Sequence, residues 1–251
     1  MDIKKFFRKF TGYKSDLVSL TIVGVGPGDP SLLTIAAVNA IKKAKVVVFP
    51  ISDDNKKSFA ADIVKKYTKF KKNIPIVFPM ARKDFDPDEI WSNAAEKIVQ
   101  FIKNGESVTL LCLGDTSLFA SSSNILRIIK DNYPDIITST IPGISSLSAA
   151  AALHDFDLVK KGETLIIKEC PTSNLELTTL IIESRNDKTV LAIMKVGKRW
   201  NLVRETLRKE NIINKSLVAL NVGMPDQIIQ NASQYKKEVM PYFSLILIRF
   251  D

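Results

Sequence analysis

The chain has 251 residues, 45% of them hydrophobic and 25% charged, so it can form one large or two modest globular domains with a buried core. Its 36 lysines and arginines against 27 aspartates and glutamates give a formal charge of +9, which favours anionic partners such as nucleic acid, acidic lipid or a small polycarboxylate. Aromatic residues are not interleaved with the lysine runs as a base-stacking platform requires, and this argues against nucleic acid.

Other classes of site and location are also disfavoured. His154 is the single histidine, and no Cys/His cluster has metal-ligand spacing, so we expect no metal site and a structural role for His154. Cys112 and Cys170 lie far apart in apolar stretches and are predicted to be separate reduced thiols. No apolar run reaches the ~18–20 residues of a membrane span, and the start lacks a signal peptide's apolar centre. We therefore expect a cytoplasmic protein without a transmembrane segment.

The first predicted elements follow a basic N-terminal extension over residues 1–19. A buried strand over 20–25 leads into a helix, with Asp29 as N-cap and Pro30 at the first helical position, and a second strand covers 45–50. This βαβ order predicts parallel strands. The alternation continues with helices over 57–67, 86–104, 118–130 and 144–153 and with strands over 74–78, 107–113 and 136–141.

The second half is also predicted to be α/β. The stretch 154–162 has no clean period, so we place the domain boundary there and expect an N-terminal domain over 20–154 and a C-terminal domain over 155–251. Antiparallel pairing is expected near the C-terminus. The predicted helices cover 175–184 and 201–210, and the predicted strands cover 164–168, 189–196, 216–222 and 242–249.

Ligands of α/β sheets bind beyond the carboxyl ends of the strands, which directs attention to the loops 24–29, 113–117 and 142–146. The first loop, GVGPGD, lacks the third glycine and the ribose-binding acid of a dinucleotide fingerprint and the Gly-Lys-Ser/Thr of a P-loop. Its Asp29 is predicted to cap a helix. Asp115, in the second loop, is either another N-cap or a carboxylate for a ligand with hydroxyls, amino groups or positive charge.

The segment 23–34, VGVGPGDPSLLT, resembles the opening signature of the tetrapyrrole methylases, the S-adenosylmethionine-dependent enzymes of cobalamin and sirohaem synthesis. The resemblance continues from about Leu20 to the end. Within the family, the chain most resembles the C20-methyltransferases of precorrin-2 or cobalt-factor II. The segments that carry it are VVFP at 47–50, SFAADIV at 58–64, FPM at 78–80, Trp91, LGD at 113–115, IPGISS at 141–146, MKVG at 194–197 and YFSLIL at 242–247.

This resemblance implies two α/β domains of the tetrapyrrole methylase type, with S-adenosylmethionine in the cleft between them. It also implies a homodimer and a tetrapyrrole polycarboxylate as substrate. Asp115 would hold polar groups of the cofactor, while Leu118 and Met194 would pack against its adenine or methionyl chain. The implied cofactor contacts are Pro27, Leu113, Gly114, Asp115, Leu118, Ser145, Ser146, Met194 and Gly223.

The expected chemistry needs no acid/base pair, because a sulfonium methyl is displaced in line by an electron-rich ring carbon. Alignment of the two reactants can then supply about 7–11 kcal/mol of the barrier. No catalytic residue is certain from the sequence, although Asp29 is a candidate. The glycines of the first loop are expected to give clearance to the cofactor and the flat macrocycle. Candidate clamps for substrate carboxylates are Arg82, Lys83, Lys198 and Arg199.

The sequence is also compatible with two alternatives to C20 methylation. Thr116 and Phe119 stand where the family usually has a proline and a tyrosine. The first alternative is therefore a family relative that binds the cofactor but has weakened activity. Another tetrapyrrole methylase is the second alternative, such as a uroporphyrinogen-III C-methyltransferase or diphthine synthase. The former usually has a Tyr-Asp pair where this chain has Phe49 and Pro50.

Overall fold

The computed structural model describes residues 20–52, 57–78, 86–186 and 188–250. The N-terminal extension and the candidate clamps Arg82 and Lys83 lie outside these residues. The chain divides into two compact units, one ending at Ile144 and the other beginning at Ser145. This division precedes the helix at 146–153, whereas the sequence predicts a boundary after it, and the position of the domain boundary remains a prediction.

The first unit is a parallel sheet with helices on both faces. Its described strands pair in the order β3-β2-β4-β1-β5, so the expected α/β architecture is confirmed. The strands are β1 Leu20–Gly24, β2 Val46–Ile51, β3 Lys72–Val77, β4 Val108–Cys112 and β5 Thr138–Ile141. The helices are α1 Ile35–Lys43, α2 Phe59–Thr68, α3 Pro87–Lys103 and α4 Ser122–Asn132.

Two apolar layers hold this sheet, because successive residues of a strand point to opposite faces. Ile22 and Leu110 pack with residues of α3 and α4 on one face. Val23 and Leu111 pack with residues of α1 and α2 on the other. Since both faces are covered, the central strands β2, β4 and β1 read as mainly apolar runs rather than as alternating patterns.

The helix that follows the first loop begins later than predicted. Asp29 caps a 3-10 turn over Pro30–Leu32, and Leu33 is extended. The α-helix itself starts at Ile35, where the Thr34 hydroxyl accepts a hydrogen bond from the Ala37 N–H at 3.0 Å. The prediction that Asp29 caps this α-helix is therefore wrong, because its carboxylate bonds to the Ser31 N–H of the preceding turn.

The second unit is a mixed sheet whose described strands pair in the order β6-β7-β10-β8-β9. Strand β10 is antiparallel to β7 and β8, which confirms the expected antiparallel pairing. The elements are α5 Ser146–Leu153, β6 Thr164–Glu169, α6 Asn174–Asn186, β7 Thr189–Met194, α7 Trp200–Lys209, β8 Ser216–Leu220, β9 Ile228–Asn231 and β10 Ser244–Arg249. The sequence missed β9, a four-residue edge strand whose residues are all half-buried, so no clear alternation marks it.

The segment between α5 and β6 is tied to the last strand. Arg249 forms an ion pair with Glu163, with Nη1 and Oε1 2.6 Å apart, and these side chains are only 16% and 15% exposed. Arg249 also donates a hydrogen bond to the backbone oxygen of Asp157. Two charged contacts therefore hold a stretch that carries no regular element.

Three expectations about composition can be compared with the structure. Cys112 and Cys170 are buried free thiols, as predicted, and burial raises the pKa of both. His154 is exposed at the end of α5. Within the described ranges, no helix is both long and apolar enough to cross a membrane.

Candidate functional site

The loops after β1 and β4 are joined at the carboxyl edge of the first sheet. Gly26 and Gly114 exchange two backbone hydrogen bonds, from the Gly26 N–H to the Gly114 oxygen at 3.2 Å and from the Gly114 N–H to the Gly26 oxygen at 2.8 Å. Strand β1 lies between β4 and β5 in the sheet, so the loop after β5 reaches the same place. The structure thus brings together the three loops that the sequence singled out.

Glycines allow the third loop to approach so closely. A Cβ atom on Gly24 would lie 2.4 Å from the Gly143 nitrogen, and one on Gly143 would lie 2.1 Å from the Gly114 oxygen. Side-chain carbons do not fit at such distances, so both positions require glycine for backbone packing. The expectation that the glycines of the first loop clear space for a ligand is wrong for Gly24, because backbone from the loop after β5 occupies that space.

The Asp115 carboxylate fastens the loops after β4 and β5 to each other. Its Oδ2 accepts a hydrogen bond from the Gly143 N–H at 2.9 Å, and its Oδ1 accepts from the Ser117 N–H at 2.8 Å and from the Ser117 hydroxyl. The N-cap interpretation of Asp115 is wrong, because α4 begins only at Ser122. An Asp with Ser two residues later is typical of an Asx turn. From this pattern the sequence could have predicted Ser117 as the hydrogen-bond partner of Asp115.

The electrostatics of Asp115 follow from these contacts. Burial alone would raise the pKa of this carboxyl, but the hydrogen bonds from Ser117, Gly143 and Thr116 outweigh it, and the pKa is lowered overall. The carboxylate is ionised at neutral pH and already has several protein donors. It is therefore arranged to hold the loops in position more than to bind a ligand directly.

Gly114 is the open position of the joined loops. Its φ of +76° lies in the left-handed region that favours glycine, and no atom lies within 4 Å of a Cβ placed there. A ligand can therefore approach the backbone at Gly114, unlike at Gly24 and Gly143. Of the other predicted contacts in these loops, Pro27 is buried and Leu113 and Leu118 are half-buried.

Asp29, the candidate catalytic residue, is exposed. Its Oδ1 accepts a hydrogen bond from the Ser31 N–H at 2.7 Å, and this bond lowers the pKa of the carboxyl. The carboxylate is therefore ionised and stabilises a turn. A catalytic role for Asp29 stays a prediction.

The other predicted cofactor contacts lie in the second unit. Ser145 caps α5, with its hydroxyl accepting from the Ser148 N–H at 3.1 Å, and Ser146 is the first residue of that helix. Met194 ends β7 and is half-buried, while Gly223 follows β8 with a φ of +77°. Because β7 and β8 are both antiparallel to β10, Met194 and Gly223 lie at the same edge of the second sheet.

Two of the predicted clamps follow Met194 in a 3-10 turn over Gly197–Arg199. Lys198 is exposed, whereas Arg199 is half-buried and its Nη1 lies 3.5 Å from the Lys195 oxygen. Positive charge is therefore available beside Met194. Among the described residues, no group of three His, Cys, Asp or Glu side chains could hold a metal ion.

A family model described as Tetrapyrrole (Corrin/Porphyrin) Methylases matches residues 19–235. A probable cobalt-precorrin-2 C(20)-methyltransferase of Methanocaldococcus jannaschii is 33% identical over 79% of this chain and 88% of its own length. A cobalt-precorrin-2 C(20)-methyltransferase of Salmonella typhimurium is 24% identical over 91% of this chain and 95% of its own. A uroporphyrinogen-III C-methyltransferase of M. jannaschii is 28% identical over 79% and 78%.

Solved structures have the same fold. The cobalt precorrin-4 methyltransferase CbiF superimposes with a TM-score of 0.68 at 19% identity, covering 92% of this chain and 94% of its own. The uroporphyrin-III-C-methyltransferase from Thermus thermophilus superimposes with a TM-score of 0.63 at 15% identity, covering 92% and 91%. At these identities the comparison establishes the architecture and not the substrate.

Proposed function

Because the chain belongs to the tetrapyrrole (corrin/porphyrin) methylases and is a methyltransferase, we propose that it methylates C20 of precorrin-2 or cobalt-factor II, with S-adenosylmethionine as the methyl donor. The choice of substrate rests on a comparison of this chain with two relatives from the same organism. The C20-methyltransferase of M. jannaschii is 33% identical to this chain, whereas the uroporphyrinogen-III C-methyltransferase of the same organism is 28% identical over the same share of the chain.

The joined loops of the first unit fit a cofactor that approaches backbone. Gly114 leaves open space, and the half-buried Leu113 and Leu118 belong to the same loop segment. S-adenosylmethionine supplies an electrophilic methyl group on a sulfonium. In this proposal Asp115 acts by holding the loops, because its oxygens already accept from Gly143 and Ser117. In the second unit, the proposed contacts are Ser145, Ser146, Met194 and Gly223.

The protein's proposed contribution is alignment and exclusion of water. A methyl displacement needs the donor and the attacking carbon in line, and good orientation can supply about 7–11 kcal/mol of the barrier. Lys198 and Arg199 are proposed to bind carboxylates of the tetrapyrrole. Their position four and five residues after Met194 and the formal charge of +9 support this assignment.

The function is tested with radiolabelled S-adenosylmethionine and three acceptors: precorrin-2, cobalt-factor II and uroporphyrinogen III. We expect label at C20 of precorrin-2 or of cobalt-factor II. Label only in uroporphyrinogen III would overturn the proposal in favour of the other methylase. Cofactor binding without transfer to any acceptor would support the weakened relative, and then the double variant Thr116→Pro, Phe119→Tyr should regain turnover.

The cofactor position is tested with a matched pair of glycine substitutions. Gly114 and Gly105 have φ values of +76° and +73°, and a Cβ on either meets no atom within 4 Å, so alanine introduces similar backbone strain at both. We expect Gly114→Ala to weaken S-adenosylmethionine binding at least about tenfold, or about 1.4 kcal/mol. Gly105→Ala should leave the dissociation constant unchanged in calorimetry. Equal effects would remove Gly114 from the proposed contacts.

We also propose a homodimer in the cytoplasm. The dimer rests on the family resemblance and is checked by light scattering of the purified chain. The location is supported by the two buried free thiols, which suit a reducing compartment, and is checked by cell fractionation.

A further inference from the structure

A second notable surface lies at the amino edge of the first sheet. The strand register aligns Lys72 with Val46, Val46 with Val108, and Leu20 with both Val108 and Thr138, so all five strands begin in one row. The joined loops of the candidate site follow the opposite, carboxyl ends of β1, β4 and β5. The amino edge is therefore free of the groups assigned above to cofactor binding.

Lysines gather at this edge because α1, α2 and α3 end there and β2 and β3 begin there. Helix α4 also ends there, with the exposed Lys130 in its last turn. All of these lysines except the half-buried Lys71 are exposed. Nearby acidic residues are Glu106, whose carboxylate lies 3.6 Å from the Lys72 ammonium, and Asp131 and Asp135 towards β5. The lysines, which with Phe70 we call the amino-edge surface, are Lys42, Lys43, Lys45, Lys65, Lys66, Lys69, Lys71, Lys72 and Lys103.

Contacts between its elements hold this surface together. The Lys71 ammonium donates hydrogen bonds to the backbone oxygens of Lys42 at 2.9 Å and Ala44 at 2.5 Å, which ties the end of α1 to the start of β3. The Lys42 and Lys66 ammonium groups lie 5.5 and 4.9 Å from the centre of the Tyr67 ring. The positive charges are thus kept close to one another despite their repulsion.

Aromatic rings lie beside these lysines, but ammonium groups lie over their faces, which a base-stacking platform would leave open. The Lys72 ammonium lies 4.4 Å from the centre of the Phe101 ring, and that of Lys103 lies 5.6 Å from the Tyr133 ring. Such cation–π contacts place ammonium groups over the ring faces. Nucleic-acid bases would need those faces for stacking, so the arrangement disfavours nucleic acid as the partner.

Phe70 is the apolar element of this surface. It is 93% exposed and lies between Lys69 and Lys71 in sequence. An exposed aromatic ring among lysines is typical of surfaces that bind the headgroup region of anionic bilayers. The chain also enters β1 at this edge.

We propose that the amino-edge surface docks the protein on an anionic phospholipid bilayer, with the Phe70 ring in the headgroup region and the lysines against the lipid phosphates. The opposite edge of the same sheet, which carries the joined loops, then faces away from the bilayer. Basic residues near an anionic surface add attraction individually, so several exposed lysines together give measurable binding.

The test is co-sedimentation of the full chain with phosphatidylcholine vesicles that contain or lack about a quarter phosphatidylglycerol, a mixture with the negative surface potential that attracts lysine. We expect binding to the anionic vesicles alone, and loss of most of it when salt rises from about 0.1 M to about 1 M, which shortens the Debye length from about 10 Å to about 3 Å. Equal binding to both vesicle types, or none to either, would overturn the proposal.

Matched variants test whether the protein binds vesicles through the amino-edge surface. The triple variant Lys43→Gln, Lys65→Gln, Lys69→Gln should bind anionic vesicles about fivefold more weakly for each lysine removed, the ratio that corresponds to about 1 kcal/mol per residue. Phe70→Ala should also weaken binding. The control triple Lys161→Gln, Lys168→Gln, Lys209→Gln removes the same charge from exposed positions of the second unit and should bind as the parent does.

Three outcomes of these experiments would contradict the proposal. Equal losses in the two triple variants would mean that net charge and not the amino-edge surface drives binding. An unchanged partition of Phe70→Ala would remove the ring from the contact. Tighter binding of an RNA or DNA duplex than of vesicles, lost in the first triple variant only, would assign the surface to nucleic acid instead. Circular dichroism of each variant checks that the fold is intact.

Discussion

The Asp115 carboxylate accepts a hydrogen bond from the Gly143 backbone N–H across 2.9 Å, and so joins loops that follow different strands of the first sheet. The two residues are 28 positions apart in the chain. Gly114, directly before Asp115, is bonded in turn to Gly26. One carboxylate therefore stabilises the arrangement of three loops around the proposed cofactor position.

Replacement of Asp115 by Asn should weaken cofactor binding by loosening these loops. An amide has only one acceptor oxygen, and its NH2 would face the N–H of either Gly143 or Ser117. A hydrogen bond to a charged group contributes about 1.5–3 kcal/mol, so we expect S-adenosylmethionine affinity to fall roughly tenfold or more. Turnover at saturating cofactor should change much less, since no reacting atom is touched.

Ser117→Ala is the matched control, because it removes one hydroxyl donor but keeps the Asp115–Gly143 bond. Its effect on cofactor affinity, measured by calorimetry, should be clearly smaller than that of Asp115→Asn. A fall in turnover with unchanged affinity in Asp115→Asn would contradict the positioning role.

The lowered pKa of Asp115 predicts a pH dependence of stability. The unfolded carboxyl has a pKa of about 3.9, and the folded one is lower, so the ionised form stabilises the fold. This contribution is fully present above the unfolded pKa and is lost as pH falls through the folded one. The difference in free energy of unfolding between the parent and Asp115→Asn, from urea titrations, should therefore shrink below about pH 4. A constant difference across that range would contradict this linkage.

Gly143→Ala should disrupt the packing of the third loop. The new Cβ would lie 2.1 Å from the Gly114 oxygen, so backbone must move, and we expect a loss of about 3 kcal/mol, the upper end of ordinary overpacking. Gly105→Ala is the control, with open space but a left-handed φ that costs about 1–2 kcal/mol. Denaturant unfolding measures both. A Gly143→Ala variant as stable as the parent would mean that the loops separate without cost.

Asp29→Ala distinguishes a turn cap from a catalytic group. Its carboxylate is exposed and bonded to the Ser31 N–H, so we expect a stability loss of about 1 kcal/mol or less and unchanged methyl transfer. Thr34→Ala should cost at least as much, about 1 kcal/mol, because Thr34 caps the α-helix itself. A well-folded Asp29→Ala protein with reduced turnover would instead place Asp29 in the active site.

Glu163→Gln should destabilise the second unit. The substitution leaves the Arg249 guanidinium largely buried without its carboxylate, and breaking a buried pair from one side costs about 3–5 kcal/mol. A double-mutant cycle with Arg249→Met, followed by denaturant unfolding, measures the coupling between the two side chains. A coupling energy near zero would show that other contacts hold the segment before β6.

Much of the fold could be predicted from local pattern. Apolar runs such as Val46–Val48 and the helical spacing of Ala37 and Ile41 are properties of a few adjacent residues, and burial on the two faces of a sheet selects them. The ends of the elements are predicted less accurately, as at Thr34, because several residues near a helix start can act as the cap.

By itself, then, the sequence determined the alternation of strands and helices, the loops that could bind a ligand and the family resemblance, because these depend on neighbouring residues. Only the tertiary structure decided that Gly24 packs on Gly143, that Asp115 holds a loop instead of capping a helix, and that lysines and aromatic rings meet at the amino edge. These contacts join residues far apart in the chain, and the order β3-β2-β4-β1-β5 creates them. No local pattern specifies that order.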